Sequence, residues 1–266
     1  MNFLQGTTPV KYCSQLALGI VCTAYFSLPA YAQSNFLIWP IYPVIENTEK
    51  AAPVWLENVG DEASMVQVRV FKWTQKDSKD QYSNQQEIIP SPPIVKVAAG
   101  EKQMIRLTKA FDMPQGQESS YRIIIDELPV ALEKEDKNNS VSFKMRYSLP
   151  LFVYGQGLAS GKSQQGKKQN QKNPNARPIL TWALSAGANP RLEVSNIGLM
   201  NARISGFKIN NKDYKSISGN DTFAYVLAGS TMYFDLDQEF KQALHTQAEV
   251  YAITHVNVDP ILMTKK

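Results

Sequence analysis

The chain has 266 residues, of which 43% are hydrophobic and 20% charged, and its formal net charge is +4. This length suits one large domain or two small ones with packed cores. A weak positive charge alone does not indicate a polyanion such as nucleic acid as the partner. Twelve Tyr, eleven Phe and fifteen Pro residues are typical of a β-rich protein with many turns.

Residues 1–32 have the layout of a secretory signal peptide. Lys11 precedes an apolar run from Leu16 to Leu28, and Ala30 and Ala32 then form an A-x-A cleavage site. The run is shorter than the ~20 residues that a membrane-spanning helix needs. We therefore expect cleavage after Ala32 rather than an uncleaved membrane anchor, and we expect the mature chain in the periplasm or outside the cell.

Metal and disulfide chemistry is not expected in the mature chain. Cys13 and Cys22 are the two cysteines of the sequence, and both lie in the predicted signal peptide. The mature chain would then form neither a disulfide nor a thiolate metal site. His245 and His255, the two histidines, are ten residues apart and make a poor metal pair. No cofactor is predicted.

Residues 33–154 show short apolar stretches separated by turn residues. Roughly seven strands at this spacing, without a long helical period, predict a β-sandwich domain. In chain order the predicted strands are Trp39–Ile45, Ala52–Asn58, Ser64–Thr74, Ile88–Val97, Gln103–Leu107, Tyr121–Leu128 and Val141–Val153.

Residues 155–176 differ in composition, and a second run of strands follows them. The segment is rich in Gly, Gln, Lys and Asn, which predicts a flexible polar linker. Its basic character does not predict nucleic-acid binding, because it lacks aromatic residues for base stacking. Residues 177–266 predict a second, smaller β-sandwich of about six strands. Those strands are Ile179–Leu184, Leu192–Ser195, Ala202–Ile209, Thr222–Val226, Met232–Leu236 and Ala248–His255.

The last predicted strand of the first domain carries an unusually long apolar row. In VSFKMRYSLPLFVYG, alternate residues from Val141 to Val153 are apolar. This row either faces the domain's own core or is an edge offered to another protein's incomplete sheet. Pro150 fits an edge or a break in strand pairing. Antiparallel pairing with Tyr121–Leu128 would place Arg122 near the junction of the two domains.

Sequence motifs for catalysis are weak or missing. Asp235 and Asp237 could pair as carboxylates, but a solvated strand face explains them as well. Gly155-Gln156-Gly157 follows a strand, yet Ser160 replaces the third glycine of a dinucleotide loop. A G-x-S-x-G elbow and a phosphate loop are both missing from the sequence. The chain is therefore not predicted to be an enzyme or to take a small-molecule substrate.

Four stretches in this order resemble the PapD-like periplasmic chaperones of the chaperone–usher pilus pathway, in their archaic branch. They are IIPSPPIVKVAAGEKQMIRL, ESSYRIIIDELP, VSFKMRYSLPLFVYG and PRLEVSNIGLMNARISGFKI. The resemblance implies two immunoglobulin-like β-sandwich domains in a boomerang arrangement. It also implies two partners: pilin subunits that lack their last strand, and an outer-membrane usher that receives them for pilus assembly.

The same resemblance implies roles for individual residues. The strand donated to the pilin would use one row of apolar side chains, and a proline-capped patch would meet the usher. The donor residues would be Val141, Phe143, Met145, Tyr147 and Leu149. The usher contacts would be Pro90, Pro92 and Pro93.

The cation that holds the pilin's terminal carboxylate cannot be carried over directly. At the two places where better-known relatives have basic residues, this sequence has Tyr42 and Pro150. Arg122 is the first candidate anchor, and Lys144 and Arg146 are the second. The alternative function is a secreted structural or adhesive β-sandwich with the long strand inside, and a third hypothesis is a hydrolytic β-sandwich enzyme.

Overall fold

A computed structural model describes most of the chain after residue 35. It covers residues 36–128, 144–161, 164–210, 212–214, 223–235, 238–244, 249–254 and 259–266. Within these ranges there are eighteen strands and two helices, and neither helix is long and apolar enough to cross a membrane. Several predictions lie outside the described residues: the signal peptide of residues 1–32, the donor residues Val141 and Phe143, and Asp237, His245 and His255.

The first domain contains ten of the strands. They are β1 Phe36–Trp39, β2 Val44–Ile45, β3 Ala51–Asn58, β4 Ser64–Lys76, β5 Lys79–Ser83, β6 Ile88–Ser91, β7 Ile94–Val97, β8 Lys102–Lys109, β9 Glu118–Leu128 and β10 Arg146–Tyr154. One sheet has the order β1-β3-β8-β6, and the other has the order β2-β10-β9-β4-β5 with β7 also paired to β4.

The two sheets of this domain enclose one hydrophobic core, so the predicted β-sandwich is confirmed. Alternate residues of β3, such as Val54 and Leu56, are fully buried, and the intervening residues point away from the core. Strand β9 contributes Ile123 and Ile125 to the same core. Strand β3 and the second half of β9 thus bury alternate residues, as period-two patterning requires.

Strand β5 was not predicted from the sequence. The prediction ended the preceding strand at Thr74 in a polar loop, whereas β4 continues to Lys76 and turns back as β5. Asp77 and Ser78 form this turn with positive φ angles. All five residues of β5 are exposed, so the strand has no apolar period that sequence reasoning could detect.

The chain leaves one sheet for the other at Ser91-Pro92-Pro93. Strand β6 pairs with β8 in the four-stranded sheet, and β7 pairs with β4 in the other. The sequence analysis took Ile88–Val97 as a single broken strand. Proline lacks the N–H that a continuous ladder would need, which is why the pairing changes at this point.

The predicted linker is not structureless. Residues Gln164–Gln171 form a helix, α1, although the composition of residues 155–176 predicted a flexible loop. Asn170 on this helix accepts a hydrogen bond from the backbone N–H of Ala159 at 3.0 Å and donates one to the carbonyl of Ala159 at 2.6 Å. Leu158 and Ala176 are buried on either side of the helix. Tertiary contacts therefore override the weak local propensity of this segment.

The second domain has eight strands and the short helix α2, Gln238–Ala243. Its strands pair into one sheet of order β14-β13-β17-β18-β11-β12-β16, with β15 also paired to β13. They are β11 Leu180–Leu184, β12 Leu192–Asn196, β13 Ala202–Ile209, β14 Lys212–Tyr214, β15 Ala224–Val226, β16 Thr231–Phe234, β17 Val250–Thr254 and β18 Ile261–Lys265.

This second sheet curves around a separate core. Phe207 on β13 and Phe234 on β16 lie far apart in the strand order, yet their ring centroids are 5.1 Å apart. Phe240 of α2 packs against Phe207 at 5.9 Å and is fully buried. The all-β, two-domain fold predicted from the sequence is thereby confirmed.

A buried asparagine fixes a turn in each domain. Asn58 donates from Nδ2 to the carbonyl oxygens of Glu62 and Val97, at 2.7 and 3.0 Å. Asn196 does the same with the carbonyls of Met200 and Val226. Each asparagine also accepts a hydrogen bond from the N–H of a glycine two residues later. Both turns occur at an Asn-x-Gly sequence, Asn58-Val59-Gly60 and Asn196-Ile197-Gly198.

Candidate functional site

Strand β10 has two halves with different pairing. Along its whole length it pairs antiparallel with β9, from Arg146 opposite Asp126 to Tyr154 opposite Glu118, which confirms the predicted pairing. On its other side β2 pairs with it only at Phe152 and Val153. Among the described strands, none pairs with this side of β10 between residues 148 and 151. Unpaired N–H and C=O groups on such an edge are a template for another strand.

The apolar row of β10 changes from buried to exposed along the strand. Leu149 is 6% exposed and Leu151 is fully buried, so both belong to this domain's own core. Tyr147 is half-buried and packs against that core. Met145, immediately before the strand, is 41% exposed. Leu149, which was predicted to extend the donated row, is thus already covered in the chain alone, and Met145 is not.

A third hydrophobic cluster joins the two domains. Trp73 and Phe152 come from the first domain, and Tyr225 comes from β15 of the second. Their ring centroids are 6.1 Å apart for Trp73–Phe152, 5.2 Å for Trp73–Tyr225 and 5.8 Å for Phe152–Tyr225. We call this group the junction cluster; its buried members are Trp73, Phe152, Tyr154, Leu158, Ala176, Met200, Tyr225 and Leu227.

Arg122 lies on the junction cluster. Its guanidinium carbon is 3.9 Å from the centroid of the Trp73 ring, and its side chain is 13% exposed. Its nearest acidic partner among the described residues is Asp80, at 3.7 Å from Nη2. The Nε of Arg122 is buried without a hydrogen-bond partner in the described part of the chain. The positive charge of Arg122 is therefore poorly compensated for a side chain that is largely buried, since a buried cation ordinarily has close acidic partners.

Arg146, in contrast, already holds a carboxylate. Its Nε lies 2.5 Å from Asp126, and Arg69 contacts the other oxygen of Asp126 at 2.6 Å. Burial opposes ionisation of Asp126, but the hydrogen bonds from Arg146 and Arg69 outweigh it and hold its pKa below the usual value. Lys144 is exposed and has no ion pair with a described residue. Neither cation is close to the junction cluster. Arg146 begins β10 and Lys144 precedes it, whereas Phe152 and Tyr154 of the cluster lie at the opposite end of the strand.

A buried carboxyl group connects the two domains beneath the junction. The oxygens of Glu118 accept hydrogen bonds from the N–H and the side-chain amide of Asn201, at 3.0 and 2.9 Å. Burial raises the pKa of Glu118 to about 8, even though hydrogen bonds from Asn201 and Tyr154 favour the ionised form. Glu118 was not singled out by sequence reasoning, because an isolated glutamate at a strand start carries no signal.

Arg203 was also missed by the sequence analysis. It lies on β13 directly opposite Tyr225 of β15, and its guanidinium carbon is 3.8 Å from the Phe223 ring centroid and 4.5 Å from that of Tyr42. Tyr42 is one of the two positions at which the resemblance implied a basic residue, and the guanidinium of Arg203 from the second domain lies over its ring. The contact depends on the packing of two domains, which no local motif encodes.

The three prolines predicted to meet the usher lie at the sheet switch. Pro90 is half-buried at the end of β6, Pro92 is half-buried and Pro93 is exposed. Ile89 and Ile94, next to them in sequence, are 52% and 49% exposed. This segment therefore presents an apolar surface on the first domain, away from β10 in the strand order.

Comparison with known proteins identifies the class. Residues 43–159 match the family profile of the pili and flagellar-assembly chaperones, PapD N-terminal domain. A solved chaperone structure is 44% identical in sequence, and the match covers 88% of this chain and all of that one. The chain belongs to the PapD-like family of pilus chaperones, which is not a family of enzymes.

Three individual relatives show how similar the chain is to known chaperones. The 44% identical structure, with a TM-score of 0.73, is that of the CsuC–CsuE chaperone–tip adhesion subunit pre-assembly complex from archaic Csu pili of Acinetobacter baumannii. SafB of Salmonella enterica, solved with the SafA pilin, shares the fold at 15% identity, with 88% and 98% coverage and a TM-score of 0.57. The uncharacterised fimbrial chaperone YhcA of Escherichia coli K12 is 21% identical over 115 residues. That match covers 43% of this chain, which spans about half (47%) of YhcA.

Proposed function

We propose that this protein is a periplasmic chaperone that binds pilin subunits by donor-strand complementation and delivers them to an outer-membrane usher. The observation that carries the proposal is the edge of β10 at residues 148–151, which no other described strand covers, together with the exposed Met145 just before the strand. A pilin that lacks its last strand would pair its backbone with this edge. Its open core would take the side chains of the donor row, Val141, Phe143, Met145 and Tyr147.

Burial of apolar side chains would supply much of the binding free energy. Each large side chain that becomes fully buried contributes roughly 1.5–3 kcal/mol. Several such anchors would outweigh the ordering cost of strand addition. Leu149 would contribute less than the residues before it, because its side chain is already buried in the chaperone's own core and only 6% of it is exposed. The proposed donor row therefore lies upstream of Leu149.

Arg122 is the proposed anchor for the pilin's C-terminal carboxylate. The Cζ of its guanidinium lies 3.9 Å from the Trp73 ring centroid, and its acidic partner Asp80 is 3.7 Å away. A planar guanidinium binds a carboxylate through two parallel hydrogen bonds, which fixes its orientation as well as its position. Arg146 is less suited to this role, because its Nε already donates to Asp126.

The proposed usher contact is the segment of Pro90, Pro92 and Pro93 with the exposed Ile89 and Ile94. It lies at the sheet switch between β6 and β7, on strands other than the donor strand. A pilin paired with β10 would leave this surface accessible. The chaperone could then hold a subunit and contact the usher at the same time.

Co-expression tests the proposed function. A pilin subunit co-expressed with this chain should accumulate in the periplasm as a soluble 1:1 complex with the chaperone, because its exposed core is covered. The complex would be recovered by affinity purification of tagged chaperone and sized by gel filtration. Equal recovery of pilin with and without the chaperone would refute the proposal.

Arg122→Gln should abolish most pilin recovery while leaving the free chaperone folded. Removing one partner of a desolvated charge pair costs binding roughly 2–5 kcal/mol, and the neutral amide still packs on Trp73. The matched control is Arg106→Gln, which changes an exposed arginine on β8 of the other sheet. Pilin recovery from Arg122→Gln equal to that from the control would remove Arg122 from the anchor.

A further inference from the structure

The segment between the two domains carries cations without acidic residues. From Asp136 to Glu193 the intervening sequence contains no Asp or Glu, and residues 155–177 alone contain five cations. Four of the five lie within the described residues and are exposed, and we call them the basic surface: Lys167, Lys168, Lys172 and Arg177. None of the four forms an ion pair with another described residue. Glu46 contacts the same segment, but it accepts hydrogen bonds from Ser160, ahead of the lysines.

Helix α1 directs two of these lysines away from the rest of the chain. Gly166 is buried, and Asn170, one turn later, is half-buried and hydrogen-bonded to Ala159. Residues four apart lie on the same side of a helix, so this side faces the protein. Lys168 is two residues from each of them and therefore lies on the opposite side, with Lys167 on the flank. The two lysines project outward from a helix whose inner side is fixed.

The chain that follows the helix is also held in place. The backbone N–H of Leu199, in the second domain, donates to the carbonyl oxygen of Asn175 at 3.0 Å. Ala176 is buried in the junction cluster. Lys172 and Arg177 lie on either side of this anchored stretch and are both exposed. Contacts with the rest of the chain thus hold the backbone that carries all four cations, while their side chains remain accessible.

The composition of the basic surface indicates which kind of partner it fits. Residues 164–173 include neither an apolar nor an aromatic side chain. Protein interfaces are usually centred on aromatic, Met or Arg anchors and are depleted in lysine. A site for one carboxylate or phosphate group favours the planar fork of arginine, whereas lysine is a hydrated point charge on a flexible stem. Three neighbouring lysines therefore suit an extended surface that carries many anionic groups.

We propose that the basic surface binds an anionic lipid bilayer through the phosphate groups of several lipid headgroups. Clusters of basic residues attract anionic bilayers by charge, and each residue near the bilayer strengthens binding by about fivefold. Without an apolar side, helix α1 would lie on the headgroups and would not insert among the acyl chains. This role goes beyond the proposed function. It would keep the chaperone close to a membrane in the periplasm, a compartment that two membranes enclose.

Sedimentation with lipid vesicles tests this proposal. The probes are vesicles of equal parts phosphatidylglycerol and phosphatidylcholine, with vesicles of phosphatidylcholine alone as the comparison, both at low ionic strength. We expect the purified protein to sediment with the anionic vesicles and not with the neutral ones. Added salt should release it, because screening weakens attraction between exposed charges.

Two triple variants with the same change in net charge locate the binding surface. Replacing Lys167, Lys168 and Lys172 together by Gln should weaken binding to the anionic vesicles roughly 100-fold. The matched control replaces three exposed lysines elsewhere by Gln: Lys50, Lys76 and Lys79. The control should retain most of the binding if the basic surface, rather than overall charge, is responsible. Melting temperatures report whether either variant has lost its fold.

Every outcome supports or overturns the lipid proposal. Equal sedimentation of wild type with both kinds of vesicle, or equal losses in the two triple variants, overturns it. If wild type does not bind vesicles but the first triple variant recovers less co-expressed pilin, the basic surface contacts a protein and the lipid proposal is wrong. If vesicle binding depends on the three lysines but wild type recovers no pilin, the lipid surface stands and the proposed function fails.

Discussion

At the scale of single residues, Glu118 gives this protein a dependence on pH. Its carboxyl group is buried between the domains and hydrogen-bonded to Asn201. Burial raises its pKa to about 8 from the usual 4.5. Between these two pH values the folded protein holds a proton that the unfolded chain has lost. Stability from this group is therefore fully present below pH 4.5 and is lost as the pH rises through about 8.

Glu118→Gln should remove this part of the pH dependence. Glutamine cannot ionise, so the free energy of unfolding should change less between about pH 5 and about pH 9 than in wild type. Denaturant titrations at the two pH values measure the difference. Glu101→Gln, at an exposed position in the turn before β8, is the control. A wild-type slope unchanged by Glu118→Gln would show that Glu118 is ionised throughout.

Single residues also show where sequence reasoning reaches its limit. Arg122 could be placed near the junction from the direction of two consecutive strands. Arg203 and Glu118 could not, because their roles arise from contacts with the other domain: Tyr42 for Arg203 and Asn201 for Glu118. Sequence periodicity specifies which face of a strand a residue occupies, but not which element packs on that face.

At the scale of elements, β10 combines a core strand with an open edge. The alternation that the sequence shows as one row is divided by the fold into a buried part after residue 148 and an exposed part at Met145. Period two is the same in both parts, so sequence alone left the core and the donated-edge hypotheses open. Elements with no apolar period, β5 and α1, were missed altogether.

The two parts of this row should respond differently to truncation. Leu151→Ala should lower the free energy of unfolding by roughly 2–5 kcal/mol, because it leaves a cavity in a fully buried position. Met145→Ala should change stability by under about 0.5 kcal/mol, as exposed positions usually do, yet reduce pilin recovery. Chemical denaturation and co-purification measure the two effects. A stability loss for Met145→Ala as large as that for Leu151→Ala would contradict the division.

At the scale of the whole molecule, the junction cluster makes the two domains depend on each other. It buries aromatic side chains from both, with Trp73 at its centre between Phe152 and Tyr225. The two separate cores could be predicted from strand counts and turn spacing. The junction cluster could not be predicted in this way. Trp73 and Phe152 lie on the outer face of their sheet, opposite the first-domain core, and their burial depends on the second domain.

Trp73→Ala should uncouple the domains. Loss of a buried tryptophan costs roughly 3–5 kcal/mol, and here the loss falls on contacts between domains. We expect wild type to unfold in a single calorimetric transition and Trp73→Ala to unfold in two. Trp55→Ala is the control. Trp55 stacks on Trp39, with ring centroids 6.4 Å apart, and does not belong to the junction cluster. One unbroken transition in Trp73→Ala would show that the domains are coupled elsewhere.

The alternation of apolar residues in the proposed donor row, from Val141 to Tyr147, also limits how a partner strand can be aligned. A shift of one residue would turn the partner's buried side chains to the opposite face, so only shifts of two residues, about 6.6 Å, preserve the match. A cation group fixed in the protein, such as Arg122, would favour one of these alignments over the others. A proposed pilin partner could therefore dock in only a few alignments, which differ by steps of two residues. The alignment adopted would depend on the distance, within the pilin, from its carboxyl end to its first buried side chain.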